Sequence, residues 1–144
     1  MGYCVDISIG GMDFPKDKVP AVLAAINALH LPENMKGSGG SWSGGKQTSR
    51  CYSWTSNPGP GGFKTLTDAF HAWRYDAHED PEGNVHLDYF SGEKWGDDEV
   101  LYGAIAPFVP EDGYIECRGE DGHQWRYLFD GKGYKEQSAK VSWE

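Results

Sequence analysis

The clearest alternation of apolar and polar positions lies in the last third of the chain, residues 95–143. Val100, Leu101, Ala104, Ile105 and Phe108 recur at helical spacing, which predicts a helix over 96–108. Asp97 suits its N-cap, and Asp98 and Glu99 put negative charge at the positive end of the helix dipole. Pro107, Pro110 and Gly113 stop it. Residues 114–118 then alternate with Ile115 and Cys117 on one side, and Asp121-Gly122 is a strong hairpin signal. Residues 123–130 alternate again, with Trp125, Tyr127 and Phe129 on one face. A second turn, Asp130-Gly131-Lys132-Gly133, leads into a strand over 134–143. A three-stranded meander with an aromatic face needs a cover, and the preceding helix is the nearest one.

Toward the N-terminus, residues 3–9 alternate with Tyr3, Val5, Ile7 and Ile9 on one side, the pattern of a half-buried strand. Val19, Val22, Leu23, Ile26 and Leu29 predict a helix from Asp17, its cap, to His30, with Pro20 in the first turn. His30 falls at the C-terminal end, where a positive charge is favoured. Residues 36–49 are rich in Gly and Ser and read as a flexible loop. Residues 50–55 form a short strand. Thr65-Leu66-Thr67-Asp68 is a capping box for a second helix striped by Leu66, Ala69, Phe70 and Trp73. Residues 74–78 and 84–90 make a hairpin, with Val85, Leu87 and Tyr89 inward and His86 and Asp88 outward. The sum is a single α+β domain over 1–144: a mostly antiparallel sheet, about three helices and the C-terminal three-stranded meander.

Charge changes this picture more than composition does. The net charge is −9, but residues 79–121 hold thirteen acids and two bases, so that window carries −11 and the remainder +2. That balance disfavours direct nucleic-acid binding. No apolar run is long enough to cross a membrane, and no leader-like segment opens the sequence, so a cytoplasmic setting is expected. The cysteines, Cys4, Cys51 and Cys117, are odd in number and lack metal-ligand spacing.

No motif carries catalysis. Gly40 to Lys46 fits a phosphate-loop spacing, but Gln47 stands where Ser or Thr would bind magnesium. Glu120, Asp121 and His123, or Asp97, Asp98 and Glu99, lack calcium-loop spacing, so no metal or other cofactor is expected. His78 beside Glu79, or His86 with Asp88, are pairs that polar residues on solvent-facing strands explain. Two binding sets remain. One is acidic: Asp97, Asp98 and Glu99, with Glu111, Asp112, Glu120 and Asp121 on turns beside them. The other is aromatic: Trp42, Tyr52 and Trp54, around the Gly/Ser stretch.

Tyr114 to Tyr127, with the closing Val141-Ser142-Trp143-Glu144, resembles small uncharacterised acidic proteins of actinobacteria and their phages, over roughly the C-terminal half. The resemblance implies a mobile-element setting, where small acidic proteins bind and block a host protein. The expectation is a non-enzymatic interaction protein that docks its acidic surface on a basic host protein. The alternative is a nucleotide- or sugar-binding protein, or a hydrolase, with its pocket beside the Gly/Ser stretch.

Overall fold

The computed structural model describes residues 2–37, 39–140 and 142–143; Met1, Ser38, Val141 and Glu144 lie outside the described residues. The fold is α+β with antiparallel sheets. The main sheet has five strands in the order β10-β9-β8-β1-β7. These are β1 (Tyr3–Gly10), β7 (Lys94–Trp95), β8 (Tyr114–Gly119), β9 (Gln124–Phe129) and β10 (Tyr134–Ser138). A smaller sheet has the order β2-β6-β5, from β2 (Asp13–Phe14), β5 (Tyr75–Glu79) and β6 (Val85–Phe90). Leu87 N–H donates to Met12 C=O at 3.0 Å, tying β6 to the corner between β1 and β2. The helices are α1 (Val19–Leu29), α2 (Leu66–Ala72) and α3 (Asp98–Ile105), the last followed by a 3-10 turn over Ala106–Phe108.

The meander follows its sequence pattern. Ile115 lies opposite Tyr127 and Cys117 opposite Trp125, so the inward positions of β8 and β9 coincide. Ile115, Cys117, Trp125, Tyr127 and Phe129 are therefore all buried, and Tyr102 of α3 packs on Tyr127 at 4.9 Å between ring centres. Gly119 carries no side chain because Tyr3 lies over it: a Cβ there would sit 1.5 Å from the Tyr3 hydroxyl.

Several local expectations are corrected. Asp17 does not cap α1. Lys18 is the N-cap and makes no side-chain bond. The turn before the helix already serves its start, since Val19 N–H reaches the carbonyls of Pro15 and Lys16. α2 keeps its predicted cap, with Thr65 Oγ1 accepting from Asp68 N–H at 3.1 Å. Asp97 is the N-cap residue of α3 but makes no capping bond; its Oδ2 accepts from Ser53 N–H at 2.8 Å instead. Tyr89 faces outward and is 56% exposed, not inward. Ala77 pairs with Leu87 but Asp76 pairs with Tyr89, so β6 carries one extra residue, a bulge that turns Tyr89 out and Phe90 toward Tyr75. The last strand ends at Ser138, and Trp143 beyond it is 94% exposed.

The Gly/Ser stretch is the largest departure. Residues expected as a loop form a two-stranded ribbon, β3 (Gly39–Ser43) paired with β4 (Lys46–Cys51). Its turn is Gly44-Gly45, at φ 58° and 78°. Both residues sit in the left-handed region, which is what a two-residue hairpin turn of the right twist requires.

Candidate functional site

The acidic set chosen from the sequence is dispersed, and most of it serves the fold. Asp98 is wholly buried and presents no charge to a partner. Its Oδ1 accepts from Arg74 Nη2 at 2.9 Å and from Gly96 N–H at 3.0 Å, and its Oδ2 accepts from the Tyr75 hydroxyl at 2.8 Å. Tyr102 adds its hydroxyl to that of Tyr75, and burial drives both phenols well above their ordinary pKa. Arg74 also donates to Lys94 C=O and lies 5.2 Å from the Phe90 ring centre. This buried ion pair bolts the N-terminus of α3 to β5. The start of an amphipathic helix is ambiguous here: an Asp near the N-cap reads as dipole complement, yet the same position points at the core if a cation waits there.

Four of the other six acids have partners as well. Asp97 holds Ser53, and Glu99 Oε1 accepts from the Tyr127 hydroxyl at 2.9 Å. Glu120 Oε1 accepts from Cys4 N–H at 3.0 Å. Asp121 accepts from the Tyr3 hydroxyl, which lowers its own pKa and raises that of Tyr3 to about 12. Glu111 and Asp112 precede β8 while Glu120 and Asp121 follow it. A strand of this length separates its ends by about 20 Å, so these two pairs are not one cluster beside Asp97.

Acidity does converge elsewhere, on the solvent face of the small sheet. His86 lies between Asp13 and His78 in register. Its Nδ1 is 2.7 Å from Asp13 Oδ1 and its Nε2 is 2.8 Å from Asp80 Oδ2. Both ring nitrogens can donate only in the imidazolium, so Asp13 first and Asp80 second raise the His86 pKa. Asp80 in turn is held below the carboxylate range, first by His86 and then by the amides of Asn84 and Glu82. The His78 ring stacks on His86 at 4.9 Å, and its Nδ1 reaches Asp88 at 2.8 Å. The pairings suggested by the sequence, His78 with Glu79 and His86 with Asp88, are replaced by these. Asp76 and Tyr89 face outward beside them, and Glu82 is exposed on the turn that ends the face; Glu79 pairs with the buried Val85 and so projects to the opposite side. Five carboxylates, Asp13, Asp76, Asp80, Glu82 and Asp88, thus share one open surface and its turn with two histidines. No spacing in the sequence announces this, because Asp13 arrives from a two-residue strand more than seventy positions away.

The aromatic set separates too. Tyr52 is buried, not available to a ligand: its hydroxyl donates to Leu29 C=O at 2.8 Å and its ring packs on Trp73 at 4.9 Å. Trp42 and Trp54 are 68% and 51% exposed. His30 is not a charged partner of the α1 dipole. Its Nε2 accepts from Trp73 Nε1 at 3.1 Å, its Nδ1 lies 2.9 Å from Asn57 Oδ1, and burial lowers its pKa, so the ring is neutral with its proton on Nδ1.

Three clefts in the surface lie away from the His86 face. One lies among Glu116, Trp125, Arg126 and Lys140, one among Cys4, Asp6, Glu93 and Glu120, and one among Asn27, His30, Asn57 and Gly62. None of the three holds both a histidine and a carboxylate, and none is lined by Trp42 or Trp54.

No family model, curated protein or solved structure matches this chain. The chemistry of the surface therefore carries the functional reading. Among the described residues, no group of three or more His, Cys, Asp or Glu is arranged to hold a metal ion. No helix among the described residues is long and apolar enough to cross a membrane.

Proposed function

We propose that the protein is a cytoplasmic, non-enzymatic interaction protein that docks on a basic surface of a protein partner, in the manner of a modulator or inhibitor of a host protein. The docking surface is the open face of the small sheet with its β5–β6 turn, in place of the Asp97–Glu99 helix start. One observation carries this reading: Asp13, Asp76, Asp80, Glu82 and Asp88 share that face and its turn, on a sheet surface open to solvent. His86 has both ring nitrogens committed to carboxylates, so it has no lone pair to offer as a general base. A surface of this kind acts by steering, and steered association accelerates at low salt as the Debye length grows beyond its ~8 Å at physiological ionic strength.

The test begins with capture of the partner from the producing cell and its identification. On-rates are then measured across ionic strength for wild type and for a variant carrying Asp76→Asn, Glu82→Gln and Asp88→Asn. The expected result is a slower on-rate at low salt, with the difference shrinking as salt rises. Equal rates at every salt concentration, in a variant that folds normally, would sink the proposal.

A further inference from the structure

Among the described residues, nothing covers the β3–β4 ribbon: residues 40–47, 49 and 50 are exposed. No third strand joins it among the described residues. A lone two-stranded hairpin is marginally stable in water, so a ribbon of this kind gains from a surface to lie on.

Its chemistry says which surface. Gly40 pairs with Arg50 and Trp42 with Gln47, which puts Trp42, Gln47 and Arg50 on one face, with Lys46 at the tip. Residues 34–67 contain Lys36, Lys46, Arg50 and Lys64 and no acid. The other 110 residues therefore carry −13, four more than the net −9 of the whole chain. A cationic, aromatic arm projects from an otherwise acidic molecule.

We infer that this ribbon is a docking arm for a second copy of the chain, and that it lies on the acidic face of that copy's small sheet. Arg50 and Lys46 meet the carboxylates of the face and the turn. Trp42 meets the exposed His78–His86 ring pair, where an indole against an imidazolium gains from both stacking and charge. The contact joins opposite charges that one copy holds apart, so it is favoured at low salt despite the like net charge of the two molecules. This rests on the same face as the function proposed above but needs no other protein, and it makes self-association and partner binding mutually exclusive.

Sedimentation of the purified full chain alone, from micromolar to millimolar concentration and at low and physiological salt, tests it. The expected result is a dimer that weakens as salt rises. Lys46→Glu with Arg50→Glu weakens it at least about tenfold, and so does Trp42→Ala. Glu82→Lys with Asp88→Lys, on the receiving surface, weakens it too, and mixing the two charge-reversed chains restores a heterodimer. The receiving-surface variant leaves the ribbon intact, so the inference stays testable if the ribbon variant misfolds. A wild-type chain that stays monomeric throughout overturns it. So does a dimer indifferent to both charge reversals, or a ribbon that binds a short single-stranded oligonucleotide, read by Trp42 fluorescence, with no self-association. None of these outcomes touches the partner-docking proposal, whose readout is a different protein's on-rate.

Discussion

The meander and the ribbon are both antiparallel frames that carry tryptophan, and they treat it in opposite ways. Trp125 in β9 is 9% exposed, beside Trp95 and bonded to Tyr127, on which Tyr102 of α3 packs. Trp42 in β3 is 68% exposed. Strand pairing is common to both; the difference is the layer above. The meander is preceded by an amphipathic helix that folds back on it. The ribbon is followed by Tyr52, which turns away into the core on Trp73, and then by a stretch rich in Ser, Asn, Pro and Gly that returns no helix over it. Burial of a strand's aromatic side is thus decided by its neighbours in sequence, not by the strand's own pattern.

The contrast is broken most strongly at Phe129, which is 1% exposed at the end of β9. Phe129→Ala is expected to cost about 4 kcal/mol in denaturant unfolding, through lost transfer energy and the cavity left behind. A cost below about 1 kcal/mol would mean that the meander is no better covered than the ribbon.

Asp98→Asn comes next. Asn keeps one carbonyl oxygen for Arg74 and Gly96, but it puts an NH2 where Oδ2 accepts from Tyr75 and strips Arg74 of its counter-charge in a place where Arg74 is only 14% exposed. The expected loss is about 3 kcal/mol, the scale of breaking a buried pair from one side. Were Asp98 a docking residue, the same change would leave unfolding untouched and alter binding alone.

Two histidines extend the comparison to pH. His86 on the open face has a raised pKa, so its contribution is complete below the ordinary value of 6.5 and is lost as pH rises through the folded value. His30, neutral in the core, has a lowered pKa, so its contribution is present above 6.5 and is lost as pH falls toward its folded value. Unfolding midpoints measured across that range should separate them: His86→Gln removes the loss on the alkaline side, and His30→Gln removes the loss on the acid side. A single slope common to both variants would contradict the two environments.

Much of the fold was legible. The period-two pattern of Trp125, Tyr127 and Phe129, the Asp-Gly turns and the Thr65 cap are local signals, and local contacts honour them. What was not legible depends on partners distant in sequence. Asp98 turns inward because Arg74 waits twenty-four positions upstream. Tyr89 turns outward because β6 carries an extra residue, which no residue type demands. The ribbon was hidden by composition: Gly and Ser lower strand propensity, yet Gly44-Gly45 is the turn that a two-residue hairpin needs. The His86 face stayed hidden because its carboxylates come from β2, from β6 and from the β5–β6 turn.

The smallest expected effect on stability is the most informative about the ribbon. Trp42→Ala removes the largest ring of β3 from a position that packs on nothing described in the same molecule's core. An exposed side chain surrenders little on truncation, so the unfolding free energy should move by no more than about 0.5 kcal/mol. The same change at Trp125 deletes a ring in contact with Tyr3, Trp95 and His123, and should cost several times as much. If Trp42→Ala proves as costly as Trp125→Ala, the ribbon is covered within its own chain. The contrast between the two frames would then collapse, and with it the reason for the arm to seek a second copy.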